Sequence, residues 1–286
     1  MAGQVALCVV YLVDERYEIL FHKHLEQLQR CSRPGAIRVY AGVNRLAPRF
    51  VEALRALDFV QICDLSPTEL RGSEEHAHYL DQLVAVAVAE GAAHIATLDV
   101  DSFPVDPAWI ERSETFLSRG ASLVGVLRRE NGDVAAPHPS FMFFSRSFVE
   151  QYKPTFRLLR EEPRARAFLR ATGQPRLDTA AGFAVTLHEN QLPWAQLLRS
   201  NVENDHALLG GVYGKMIYHF GGGSRDKVFS VDVSQARKTR PKATLQELWP
   251  EIAERNETLA RRMLAEMQSD FDGYIRRLLG DQAASA

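Results

Sequence analysis

The sequence predicts an α/β fold: a mostly parallel central sheet flanked by helices on both faces, followed by a C-terminal helical extension. Two observations carry that prediction. Through the first hundred residues, short apolar runs alternate with amphipathic stretches of helical period, which is the pattern of repeated strand–helix units and a parallel sheet. From Leu245 to Leu279 the pattern is helical and laced with charges, as expected of helices packed on a finished core.

The elements follow in order. VALCVVYLV (Val5–Val13) is a continuous apolar run, the signature of a strand covered on both faces. Tyr17–Arg30 reads as a helix with Ile19, Leu20, His24, Leu25 and Leu28 near one face. SRPG marks a turn, and AIRVYAGV (Ala36–Val43) is a second strand. Pro48–Leu57 is a helix and FVQICDL (Phe59–Leu65) a third strand. Glu74–Glu90 is a strong helix closed by Gly91. HIATLDV is the fourth strand. Asp106-Pro107 opens a helix to Arg119 as N-cap and first position. Ala121–Arg129 and Ser140–Arg146 are strands, separated by a loop rich in Gly, Ala and Pro. Phe148–Leu169 reads as helical or broken helical, Thr179–His188 as a buried helix, and KMIYHF (Lys215–Phe220) as a late strand running into three glycines. No internal repeat is evident. The organisation expected is a first half over 1–106, a second over 107–235, and the extension over 236–286.

With 286 residues, 34 basic and 36 acidic side chains and a net charge of −2, the chain lacks the basic excess of nucleic-acid or membrane-surface proteins. Cys8, Cys31 and Cys63 are few, widely spaced and without a C-x-x-C pair. They read as buried apolar side chains in a reducing, cytoplasmic compartment. The first apolar run is too short for a bilayer and has no basic leader. In that compartment the sequon at Asn256 carries no meaning. A homo-oligomer is left open.

The chemistry concentrates at HIATLDVDSFP (His94–Pro104). Residues two apart on a strand point the same way, so Asp99 and Asp101 can meet one object. In a parallel sheet, ligands bind beyond the carboxyl ends of the strands. Two close carboxylates repel unless a cation lies between them, and oxygen ligands suit Mg²⁺ or Mn²⁺. Such an ion keeps positions free for phosphate oxygens. A lone D-x-D is also common as a solvated turn, so its place after three strand–helix units matters.

VVYLVDE (Val9–Glu15), HYLDQLV (His78–Val84) and ATLDVDSFP (Ala96–Pro104) resemble, in order and spacing, the nucleotide-binding half of the glycosyltransferases of GT-A fold, a Rossmann-like architecture. PSFMFFSR, LDTAAGFAV (Leu177–Val185) and MIYHFGGGSRDK (Met216–Lys227) resemble the downstream half of the retaining, glycogenin-like members. The H-x-x-G-x-K-P-W signature of that type is not intact, because FGGGSR follows His219 and no Pro-Trp appears. The resemblance runs from Val5 to Lys227. It implies a metal-dependent hexosyltransferase-like enzyme that takes a nucleoside diphosphate sugar, UDP-linked, to a small-molecule or glycan acceptor, with retention of configuration left open.

Residue by residue, the resemblance implies Asp99, Asp101 and His219 as ligands of Mn²⁺ or Mg²⁺, with Asp99 also reaching the ribose. Gly221–Gly223, and Gly222 in particular, would let the backbone approach the diphosphate, and Arg225 or Lys227 would neutralise it. Tyr11 and Asp14 would hold the base; core packing is the other reading of Tyr11. Asp81 would touch nucleotide or sugar, unless it is an exposed helical carboxylate. Asp178 would position the acceptor hydroxyl or act as general base, and a helix N-cap is its alternative. Glu189 is a second candidate base. His138 would line the acceptor pocket, or else sit in a rigid turn between Pro137 and Pro139. Trp194 would stack on a sugar or pack in the core. His76 and His78 read as helix-start surface residues more readily than as a site. Two other functions compete: a sugar nucleotidyltransferase, against which the lack of a glycine-rich loop after the first strand counts, and a non-catalytic nucleotide-sugar-binding protein.

Overall fold

The computed structural model describes residues 4–223 and 227–280. Arg225 lies outside the described residues.

The first four strands are β1 (Val5–Val10), β2 (Ile37–Gly42), β3 (Val60–Ile62) and β4 (His94–Asp99), with α1 (Glu18–Arg30), α2 (Pro48–Arg55) and α3 (Ser73–Ala89) as crossovers. β5 (Ser102–Pro104), α4 (Trp109–Ser118), β6 (Leu123–Val126), β7 (His138–Ser145), α5 (Arg146–Tyr152), α6 (Pro163–Thr172) and α7 (Ala181–Glu189) follow. β8 (Ala195–Leu197), β9 (Gly211–Tyr213), β10 (Ile217–His219), α8 (Ser230–Thr239), α9 (Leu245–Ser269) and α10 (Phe271–Leu279) complete the chain.

The central sheet has seven strands in the order β3-β2-β1-β4-β7-β6-β8. β1 pairs parallel with both β2 and β4, while β7 runs antiparallel to β4 and β6. The chain therefore leaves β1 in two directions. A sheet that reverses its winding there opens a crevice at the carboxyl ends of its central strands. β1 is apolar throughout because both faces are covered. On one side Phe21 and Leu25 of α1, Phe50 and Leu54 of α2 and Trp109 of α4 join Leu7 and Val9. On the other, Leu80 and Leu83 of α3, Phe148 of α5 and Phe183 of α7 join Ala6 and Cys8. The three cysteines are buried and free.

A second, three-stranded antiparallel sheet, β5-β10-β9, stands at the mouth of the first. α9 and α10 pack on it: Met263, Met267, Tyr274 and Leu278 meet Phe103, Val212, Tyr218 and Phe220. Each such buried side chain contributes about 1.5–3 kcal/mol. A capping box at Thr244 and Glu247 starts α9. No described helix is long and apolar enough to cross a membrane.

Several elements depart from the sequence reading. The stretch 148–169 is two helices with a loop between them: Lys153 takes a left-handed conformation at φ 48° and Pro163 opens α6. α4 starts at Trp109, two residues later than expected, because the Asp106 carboxylate accepts from the Ala108 amide and makes a turn. β5 and β9, three residues each, and α8 were not anticipated. Residue 235 lies within α8.

Candidate active site

Asp99 ends β4, and Asp101 follows in the tight turn into β5. β10 then runs antiparallel to β5, with His219 opposite Ser102. The Phe220 amide donates to the Asp101 carbonyl at 2.9 Å. This backbone pairing places His219 beside the two aspartates across more than a hundred residues of chain. One ligating atom from each of Asp99, Asp101 and His219 lies within 4.8 Å of the others. His219 Nε2 is 3.6 Å from Asp101 Oδ1 and 4.0 Å from Asp99 Oδ2.

Two supports hold this corner. The Gly223 amide donates to Asp101 Oδ2 at 3.0 Å, and a Cβ at residue 223 would meet that oxygen at 2.9 Å. Only glycine lets the backbone come so close. Gly221 and Gly222 precede it with φ of 82° and 75°, in the left-handed region. Beneath the turn, the fully buried His24 donates from Nδ1 to the Ser102 carbonyl at 2.7 Å. Its Nε2 accepts from the Tyr11 hydroxyl at 3.2 Å. Burial pushes the His24 pKa down to about 4, so the ring is neutral at pH 7 and this pairing of donor and acceptor follows.

The environment of Asp99 opposes its charge. Removal from water, and then the neighbouring Asp101 carboxylate, push the Asp99 carboxyl well above the ordinary carboxylate range. Its Oδ1 is buried and accepts no hydrogen bond from the described residues. Two carboxylates and one imidazole, with an oxygen left unsatisfied, fit a hard or borderline divalent cation such as Mg²⁺ or Mn²⁺.

The cluster lies in a cavity of about 510 Å³. Asp178, His138 and the Gly221–Gly223 backbone line it as well. Asp178 precedes α7 without capping it: the cap position is Ala180, held left-handed at φ 73°. The Asp178 carboxylate accepts from the Ser73 hydroxyl and the Thr179 amide, both at 2.9 Å, and faces Arg128 at 3.5 Å. His138 opens β7, with its ring 5.5 Å from that of His219 and its Nδ1 accepting from the Ser140 amide.

Other predicted residues are not brought to this cluster. Tyr11 borders the cavity, but its side chain is buried against Phe21 and its hydroxyl is engaged by His24. Asp14 caps the turn at Glu15–Tyr17 and pairs with Arg16, whose hydrogen bonds hold its carboxyl below the usual range. Asp81 faces away from the cavity and clasps the loop before α6, accepting from the Thr155 hydroxyl and the Phe156 amide. Burial nonetheless raises its pKa. Glu189 ends α7, about 12 Å of helix from Ala181, and pairs with Arg164. Trp194 packs beside the buried residues on the α3 side of the sheet. His78 bonds to the Ser66 carbonyl. Lys227 has a fully buried side chain, with Nζ 3.5 Å above the Tyr17 ring and 3.6 Å from Glu257. Burial lowers its pKa.

The sequence reading missed Arg45, Glu75, Arg128 and Tyr213 in the cavity wall and gave His76 little weight. Glu75 is buried and paired with Arg45 at 2.7 Å. Arg128 joins Asp133 and Asp178, and the Tyr213 hydroxyl donates to Glu130. Each is placed by a pair with a distant residue, which the local sequence pattern does not display.

No family model matches the chain, and no curated protein sequence does. Among solved structures, it is similar to residues 1–349 of S. aureus TarS, solved in complex with UDP-GlcNAc. The identity is 10% over 54% of this chain and 48% of that one, with a TM-score of 0.39. The chain thus spans about half the length of that TarS structure. It is also similar to mouse xyloside xylosyltransferase 1 in its apo form, at 13% identity over 68% of this chain and 84% of that one, TM-score 0.39.

Proposed function

We propose that this chain is a metal-dependent glycosyltransferase that moves a sugar from a nucleoside diphosphate sugar, UDP-linked, to an acceptor hydroxyl. The observation that carries the reading is the convergence of Asp99, Asp101 and His219 in the cavity at the carboxyl ends of the central strands. The D-x-D resemblance supplies the donor class.

Asp99, Asp101 and His219 would hold Mn²⁺ or Mg²⁺. When bound, the ion supplies positive charge for the diphosphate leaving group as the glycosidic bond breaks. Asp101 is held for this by the Gly223 amide. The left-handed Gly221 and Gly222 bring the backbone to the cavity wall, where the diphosphate has close access. Asp178, steadied by Ser73 and Arg128, accepts a hydrogen bond from the acceptor hydroxyl and orients it. His138 lines the acceptor side. Whether configuration is retained, as in the members that the downstream half resembles, is read by proton NMR of the first product anomer.

The test is UDP release from UDP-sugars in the presence of Mn²⁺. Slow release that chelation abolishes, and that Asp101→Asn loses by at least about a hundredfold, is the expected outcome. Nucleotide binding without turnover of any donor would leave a binding protein. Release insensitive to chelation and to Asp101→Asn would overturn the metal-dependent reading.

A further inference from the structure

The two oxygens of Asp99 face different partners. Oδ2 looks toward His219 at 4.0 Å. Oδ1 looks the other way, to Nε2 of His76 at 3.5 Å. His76 sits in the first turn of α3 and lines the same cavity. Its ring and Asp99 Oδ1 are about half an ångström beyond a normal N–H···O bond, and among the described residues Oδ1 accepts no hydrogen bond from any other group.

We propose that His76 is a positioning residue for the cation site: its Nε2–H holds Asp99 Oδ1, so that Oδ2 is presented with Asp101 and His219. The inference rests on the metal reading above. The physical logic is that of outer partners at metal centres. A carboxylate free to rotate offers its oxygens in many orientations, and a hydrogen bond to one of them fixes the other toward the ion. α3 is well placed for this, because its later turns are anchored in the core through Leu80 and Leu83. The turn that carries His76 also carries Ser73, which holds Asp178. One helix start therefore steadies a metal carboxylate and the acceptor carboxylate together. A gain in metal affinity of 10- to 100-fold is typical of such partners.

The experiment uses Mn²⁺ alone as probe, titrated into the full chain and followed by the electron paramagnetic resonance of the free ion. His76→Ala should weaken Mn²⁺ binding by about tenfold. His76→Gln, whose side-chain amide places a donor near the original Nε2, should recover most of that loss. Electron spin echo spectra of bound Mn²⁺ should show one histidine nitrogen, lost in His219→Ala and kept in His76→Gln. Wild-type affinity in His76→Ala, equal losses in the Ala and Gln variants, or two coordinated nitrogens in the native protein would each overturn the assignment while leaving the metal site standing. No Mn²⁺ uptake by the native protein would overturn both. If His76→Ala fails to fold, His76→Phe fills the same space without a donor and should show the same loss as expected for Ala.

Discussion

Two buried carboxylate sites in this protein have opposite surroundings. Asp232, at the start of α8, accepts from Arg255 at 2.7 Å, Asn256 at 2.8 Å and His206 at 3.0 Å. Burial opposes its charge, but the bonds from His206 and Asn256 and the nearby cations outweigh it and hold the carboxyl below its usual range. Asp99 lies in the cavity with one oxygen that accepts no full hydrogen bond from the described residues, His76 being 3.5 Å away; removal from water and then the neighbouring Asp101 carboxylate move its pKa up. Folding tolerates an unsatisfied buried polar group only at a cost of roughly 1–3 kcal/mol. The first site ties α8 to α9. The second draws no comparable support from the described side chains around it, and so points to a ligand.

The largest expected effect on stability belongs to the satisfied site. Asp232→Ala takes from His206 its carboxylate acceptor and from Asn256 one of its two, the Lys227 carbonyl remaining, and should lower unfolding stability by about 3 kcal/mol in urea titrations. Donor and metal binding should survive in the fraction that is folded. A loss under about 1 kcal/mol would erase the contrast between the two sites.

How much of this was legible in the sequence divides along the same line. The first four strands and their helices were readable because period and punctuation encode them locally. The D-x-D was readable because it ends one of those strands. His219 was reached through resemblance, since the pairing of three-residue strands β5 and β10 is non-local and leaves no period. Asp178 and His138 were singled out through the resemblance, each with a local alternative in a helix N-cap or a proline-flanked turn, whereas Glu189 fell on the far end of the same helix as Asp178's neighbour Ala181. Tyr11 sits one residue past the end of β1, and the packing of Phe21 and His24 from α1 accounts for it; neither contact shows in the local pattern. Arg45, Glu75 and Arg128 owe their places to tertiary pairs, which a single sequence does not display. His24 did leave a trace, as the histidine on an otherwise apolar helix face.

His24 sharpens the comparison through pH. Its folded pKa is about 4 against an unfolded value near 6.5. The native state thus binds fewer protons, and stability is complete above about pH 6.5. It is lost as pH falls from there toward 4, by roughly 1.4 kcal/mol per pH unit, so on the order of 2 kcal/mol at pH 5. His76, also lowered to about 4 by burial, adds its own slope. His24→Gln should flatten the stability–pH curve between pH 6.5 and 5 by about one proton. Identical slopes in variant and wild type would show that His24 is not held neutral under the Asp101 turn.

The smallest stability effect, and the one that separates the two carboxylate sites most sharply, is expected at Asp101. In Asp101→Asn the side-chain oxygen still accepts from the Gly223 amide, so the turn keeps its hydrogen bond. What disappears is one of two like charges, and the repulsion that adds to burial in raising the Asp99 carboxyl goes with it. Unfolding stability without metal should therefore stay within about 1 kcal/mol of wild type, with any change a gain. Added Mn²⁺ should raise the melting temperature of the wild type, because a ligand that binds only the folded state stabilises it. The same addition should leave Asp101→Asn unmoved. The charge is then costly to the fold without added metal and useful only to the ion, the reverse of Asp232. A loss of several kcal/mol on Asp101→Asn would make Asp101 a structural carboxylate like Asp232 and remove the reason for placing a cation at the mouth of the sheet.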